Sequence, residues 1–279
     1  MVKSFDRQEV YLMYKAVVSD LDGTLLNGSH EIDEFTKETV SAVIDKGIKF
    51  YIATGRSYSG AKDIMDKLGL KIPLITSNGA RILDEEGKEI YVNNLGKKYS
   101  DSILDIDYKK NGKSIVLNVY SGNDWYVTED RREFYMKINP KRTFFPEVTT
   151  LEELKTKEFT KIFFLGEHDE LLELEKEIEN ITKGEVNIAF VLEHCLEIFS
   201  KESDKANAAR FLLEKDGLTL KDSVAFGDGC NDYNLLKEAG KGYVMGNALY
   251  RLKEALPENE TVETNADNGV AKKLVELFL

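Results

Sequence analysis

Asp20 and Asp22 stand two residues apart in the stretch Val-Val-Ser-Asp-Leu-Asp-Gly-Thr-Leu-Leu, where an apolar run ends. Residues so spaced on extended backbone point the same way, and Gly23 permits a sharp exit from the strand. Burying unpaired carboxylates costs several kcal/mol each, so the pair belongs at an edge that ions and ligands can reach. Three further stretches carry groups of complementary chemistry. Ala53-Thr54-Gly55-Arg56 sets a hydroxyl before a glycine turn and a helix start. Lys205 opens a helical pattern over 205–215. Gly227-Asp228-Gly229-Cys230-Asn231-Asp232 ends a second apolar run and leads into a helix N-terminus, whose N–H groups and dipole favour anions.

If folding brings Asp20, Asp22, Asp228 and Asp232 together, they cannot all stay ionised unaided. Two carboxylates ~4 Å apart repel by about 4 kcal/mol at an effective dielectric near 20. A divalent cation is the natural compensation, and Mg²⁺ is held by a few carboxylates together with waters and phosphate oxygens. Carboxylate, metal, lysine and hydroxyl together make the apparatus of phosphoryl transfer. Asp20 can attack phosphorus, and Asp22 can protonate the leaving oxygen and later deprotonate water. Thr54, Lys205 and Asn231 can hold the equatorial oxygens, where charge builds up in the transition state.

The elements that would position these groups follow from short apolar runs bounded by turn residues. Strands are expected at 14–19, 48–53, 73–76, 223–227, 242–246 and 261–263, with helices at 34–46, 60–68, 205–215, 233–239 and 249–256. Alternation of this kind predicts an α/β fold with a doubly wound, Rossmann-like parallel sheet. Ligands of such sheets bind beyond the carboxyl ends of the strands, at the topological switch point. The middle of the chain reads differently. Alternating strands at 114–120, 125–128, 160–165, 186–192 and 196–199, and helices at 131–138 and 169–181, describe an inserted α+β cap with turns at Gly122-Asn123 and Glu193-His194. The expected division is a discontinuous core, 1–83 and 193–279, and a cap, 84–192.

Composition narrows the remaining classes. The chain of 279 residues carries a net charge of -12 and no dense Lys/Arg cluster, which argues against a nucleic-acid partner. No apolar run approaches the ~20 residues of a membrane span, and the first 15 residues are too polar for a signal peptide. Cys195 and Cys230 lack ligand spacing and are expected as reduced thiols of a cytoplasmic protein.

The four stretches, in this chain order, resemble the haloacid dehalogenase superfamily, which carries DxDGT, a strand-end Thr, a Lys and GDxxND. The resemblance is closest to the Cof-type sugar-phosphatase branch, through Ala53-Thr54-Gly55-Arg56, Ser77-Asn78-Gly79-Ala80, Met245-Gly246-Asn247-Ala248 and Gly269-Val270-Ala271. It implies a large cap between the second and third motifs, Asp20 as nucleophile and Asp22 as acid/base. It also implies Mg²⁺ on the Asp20 carboxylate, the Asp22 backbone carbonyl and Asp228, with Asp232 in support. Thr54, Gly55, Arg56, Asn78, Lys205 and Asn231 are then the phosphate- and substrate-binding residues. One departure stands out. The branch often reads Gly-x-Ser-Lys-Gly around the lysine, and residues 202–206 here are Glu-Ser-Asp-Lys-Ala. The resulting expectation is a Mg²⁺-dependent phosphatase of small phosphorylated metabolites, probed against two rivals: a phosphomutase on the same core and an idle metabolite-binding regulator.

Overall fold

The computed structural model describes residues 13–138 and 144–279. The first strand, β1 (Ala16–Ser19), is buried at all four positions because a parallel strand flanks it on each side. A strand enclosed in this way has no solvent face, which is why its sequence runs apolar without alternation. The chain then winds outward through α1 (Glu34–Asp45), β2 (Lys49–Ala53), α2 (Tyr58–Leu68) and β3 (Leu74–Thr76). Caps fix both helices: the Asp33 side chain accepts the Thr36 N–H at 2.8 Å, and Gly69 closes α2 in the left-handed region. Two further strands, β4 (Arg81–Leu83), antiparallel to β3, and β5 (Glu89–Val92), extend the same sheet edge.

Residues 92–203 form a second compact unit with its own core. It contains α3 (Lys97–Leu104), β6 (Val116–Ser121), β7 (Asp124–Val127), α4 (Arg132–Ile138), β8 (Glu147–Val148), β9 (Lys161–Leu165), α5 (His168–Thr182), β10 (Val186–Leu192) and β11 (Cys195–Ser200). The sheet order is β10-β11-β9-β6-β7-β8, antiparallel except where β8 joins β7. The hairpins turn at Gly122-Asn123 and Glu193-His194, as the sequence pattern predicts. Leu171, Leu174 and Ile178, spaced along one face of α5, join Ile162, Phe164, Leu196 and Ile198 in the core.

The chain returns through α6 (Lys205–Lys215), β12 (Ser223–Gly227), α7 (Tyr233–Glu238), β13 (Lys241–Val244), α8 (Tyr250–Ala255), β14 (Glu260–Thr261) and α9 (Gly269–Phe278). The full sheet reads β14-β13-β12-β1-β2-β3-β4-β5. Winding reverses at β1: its first half runs outward over β2 and β3, and its second half over β12, β13 and β14. The switch point therefore lies at the carboxyl ends of β1 and β12, where Asp20 and Asp228 follow.

Contacts divide the chain at 91/92 and 203/204, whereas the sequence pattern placed the divisions at 83/84 and 192/193. The difference has a structural origin. The hairpin strand β5 continues the larger sheet, and β11 pairs with both β10 and β9 in the smaller one. The expectation about residues 1–15 lies largely outside the described residues. Among the described residues no helix is long and apolar enough to cross a membrane.

Candidate active site

The turn after β1 begins where the Asp20 N–H donates to Phe226 of β12 at 3.0 Å, and it closes with Leu25 and Leu26 donating to Asp20 and Leu21. Gly23 within it has φ +73°, and a Cβ there would collide with the Asp228 carboxylate. Glycine is required twice over, for its backbone angle and for the approach of the neighbouring acid. Thr24 then donates its hydroxyl to Asp228 Oδ1 at 2.9 Å.

Asp232 organises the other side. Its Oδ2 accepts the N–H groups of Asp228 and Gly229 at 3.0 and 2.9 Å, and its Oδ1 accepts Lys205 Nζ at 2.7 Å. Lys205 also donates to Asp20 Oδ1 at 2.6 Å. This lysine is fully buried at the first position of α6, where Asp204 caps the helix by accepting from Ala206 and Asn207. Asp204 also accepts from Asn234 of α7 at 2.8 Å. A side-chain cap and two elements thus hold the loop that the sequence departure had put in question.

Asp20, Asp228 and Asp232 each present an oxygen within 4.8 Å of the others. Burial pushes the Asp20 carboxyl well above the usual carboxylate range, against Lys205, and the charges of Asp232 and Asp228 push it further. Burial and Asp232 likewise raise Asp228, against the Thr24 hydrogen bond and Lys205. For Lys205, burial alone would lower the pKa, but Asp20 and Asp232 overcome it and the net direction is upward. Three carboxylates around one ammonium leave two negative charges without a partner when all are ionised. The donor set is hard oxygen and the excess charge is that of a divalent cation, so these residues fit Mg²⁺.

Asp22 does not join the other three acids, contrary to the sequence expectation. Arg56 takes its carboxylate in a forked pair, Nε to Oδ2 at 2.6 Å and Nη2 to Oδ1 at 2.5 Å, and His30 Nδ1 lies 3.8 Å from Oδ1. Thr54, buried at the end of β2, accepts the Arg56 N–H at 3.1 Å, which leaves its own proton for another acceptor. Asn231 donates through Nδ2 to Asn78 Oδ1 at 2.9 Å. Gly55 lies so close that a Cβ there would stand 3.0 Å from Asn78 Oδ1. Ser77 and Asn78 both hold positive φ, +50° and +57°, a backbone cost on the order of 1–3 kcal/mol each.

The sequence profile of the haloacid dehalogenase-like hydrolases matches residues 17–274, a span that contains every residue of this cluster. The chain belongs to the haloacid dehalogenase-like hydrolase family. A relative from Buchnera aphidicola subsp. Baizongia pistaciae, provisionally named a phosphatase, is 37% identical over 270 residues, covering 95% of this chain and 99% of its own. A protein of Yersinia pseudotuberculosis named HMP-PP phosphatase is 32% identical over 262 residues, 94% of each chain. A crystal structure from Thermotoga maritima superposes with a TM-score of 0.83 at 27% identity, covering 96% of this chain and 98% of that one. This haloacid dehalogenase-like hydrolase is a phosphatase.

Thr24, Gly79 and Asp204 stand within the sequence motifs, but sequence reasoning gives none of them a role. Thr24 was visible inside the first motif but given no partner, because its bond to Asp228 spans 204 residues of chain. Asp204 precedes an apolar helical run as a capping residue should, which was the available signal.

Proposed function

We propose that this phosphatase hydrolyses small phosphorylated metabolites, sugar phosphates foremost, with Mg²⁺ and through a phosphoryl group carried on Asp20. The observation that carries the reading is Asp20 itself: buried, held by Lys205 at 2.6 Å, and part of a carboxylate cluster with excess negative charge. An Asp20 oxygen attacks phosphorus, the ester bond breaks, and the leaving oxygen takes a proton from Asp22. Water then gives a proton to Asp22 and its oxygen to phosphorus, freeing Asp20 and releasing inorganic phosphate.

The carboxylates of Asp20 and Asp228 and the backbone carbonyl of Asp22 would hold Mg²⁺, which supplies positive charge against the phosphate oxygens. Both oxygens of Asp232 already have partners, so its part is to fix Lys205 and the 228–229 backbone. Thr54, Lys205 and Asn231 bind the phosphoryl oxygens. Gly55 leaves the room they need; Arg56 pairs with ionised Asp22, so Asp22 serves as the acid once it has left that pair and taken up a proton from solvent. The sugar-phosphate class rests on the resemblance to the Cof-type branch, and the Yersinia relative's name adds HMP-PP as a second class to test. The two free cysteines fit a reducing, cytoplasmic setting.

The test is phosphate release from a panel of sugar phosphates and HMP-PP, by wild type and Asp20→Asn, with Mg²⁺ or with EDTA. The expected result is release that EDTA abolishes, that Mg²⁺ restores, and that the substitution lowers by roughly a thousandfold or more. Equal rates in the two proteins would remove Asp20 from the mechanism. Phosphate returned to another hydroxyl of the substrate, with none released, would make the enzyme a mutase.

A further inference from the structure

Ser77, Asn78 and Gly79 follow β3 with φ of +50°, +57° and +94°. Three successive left-handed residues, two of them with side chains, form a backbone that its surroundings must impose. Ser77 donates its N–H to Arg56 at 2.8 Å and Asn78 to Thr54 at 3.1 Å, tying the turn to the end of β2. On its other side Gly79 lies against the backbone of Asp204, close enough that a Cβ would overlap the Asp204 carbonyl. The turn is thus wedged between the Thr54 loop and the start of the Lys205 helix.

Asn78 is buried, and its Oδ1 accepts Asn231 Nδ2 at 2.9 Å. Asn231 itself is exposed and sits between Asp228 and Asp232 in sequence. An exposed amide with a single buried acceptor has its rotation fixed by that acceptor. Donation to Asn78 also uses only one of the two Nδ2 hydrogens, and the second remains for a phosphoryl oxygen.

We infer that Asn78 is a positioning residue, which acts on the phosphoryl group through Asn231 and does not touch substrate itself. The inference rests on the reading of Asn231 as a phosphate contact. It replaces the direct binding role that the sequence implied for Asn78, and it gives the strained turn a purpose.

The test is a double-mutant cycle on kcat/KM for p-nitrophenyl phosphate, with the inhibition constant for inorganic phosphate and the melting temperature measured alongside. Asn78→Gly suits the left-handed backbone, so it deletes the acceptor without adding strain. Asn78→Gly should lower kcat/KM about ten- to a hundredfold and weaken phosphate inhibition, with the melting temperature unchanged. Asn231→Ala should cost at least as much, and in that background Asn78→Gly should cost nothing further. A full second loss in the double variant would mean that Asn78 contacts substrate. An unchanged kcat/KM and phosphate inhibition in Asn78→Gly would reduce it to a turn residue. Neither result bears on Asp20, whose role is decided by Asp20→Asn alone.

Discussion

Lys161 and Lys205 are both buried, one in each compact unit, yet their surroundings differ in kind. Lys161 on β9 meets one carboxylate, Glu197 of β11, at 2.5 Å, and its Nζ lies 5.6 and 5.8 Å from the ring centroids of Tyr120 and Phe163. Its charge is matched one to one inside an aromatic shell. Lys205 meets two carboxylates and has a third within the same small group. Burial is common to both sites; electrostatic imbalance belongs only to the second. A matched buried pair needs no ligand, whereas an unmatched acidic cluster has the charge to take up a cation.

The largest expected effect separates the two lysines by activity. Lys205→Met should lower kcat for phosphate release by about a thousandfold, as loss of a charge poised at the phosphoryl group predicts. Lys161→Met should stay within about threefold of wild type at temperatures where both are folded. Comparable losses in the two variants would erase the distinction.

Lys161 should show its effect in stability instead of activity. Lys161→Met strands Glu197 in the interior and should cost about 3–5 kcal/mol in urea unfolding. The paired variant Lys161→Met/Glu197→Leu should recover most of that, since a well-packed apolar replacement of a buried pair is often neutral. A paired variant as unstable as the single one would show that the pair does more than match charge.

A smaller effect lies in pH. The folded, metal-free Asp20 carboxyl has a raised pKa, so the folded state binds the proton more tightly than the unfolded state does. That contribution to stability is present below the ordinary carboxylate pKa of about 4 and is lost as pH rises through the raised value. In EDTA, the melting temperature of wild type should therefore fall relative to Asp20→Asn as pH rises from 4 towards 7, and Mg²⁺ should narrow the gap. Parallel curves in EDTA would contradict the imbalance.

The smallest effect concerns the thiols. Burial, reinforced by Glu197 and opposed by Lys161, pushes the Cys195 thiol up to about 12, whereas Cys230 is exposed. Native protein should react with a thiol reagent at Cys230 quickly and at Cys195 only on unfolding. Rapid double labelling would mean that the inserted core opens readily.

The parallel sheet was readable because enclosed strands such as Val17-Val18 and Ala225-Phe226 run apolar and stop at polar residues. The sequence also showed which acids flank the switch point. It did not show that Asp22 would turn to Arg56, since motif spacing places a Cα and not a carboxylate. The boundaries between the units differ for a related reason: the strand pattern marks 196–199 as extended, and only pairing reveals that β11 joins β10 and β9 and that β5 joins the larger sheet. Helix α9 was legible and passed over; Val270, Ala271, Leu274, Leu277 and Phe278 make one buried face.

The central claim is that the cluster around Lys205 is completed by a divalent cation held between Asp20 and Asp228. Calorimetric titration of Mg²⁺ into metal-free protein tests it most directly, with wild type, Asp228→Asn and Lys161→Met compared. The account predicts one site per chain in wild type and in Lys161→Met, and its loss in Asp228→Asn. Undetectable binding to wild type, or undiminished binding to Asp228→Asn, would contradict it.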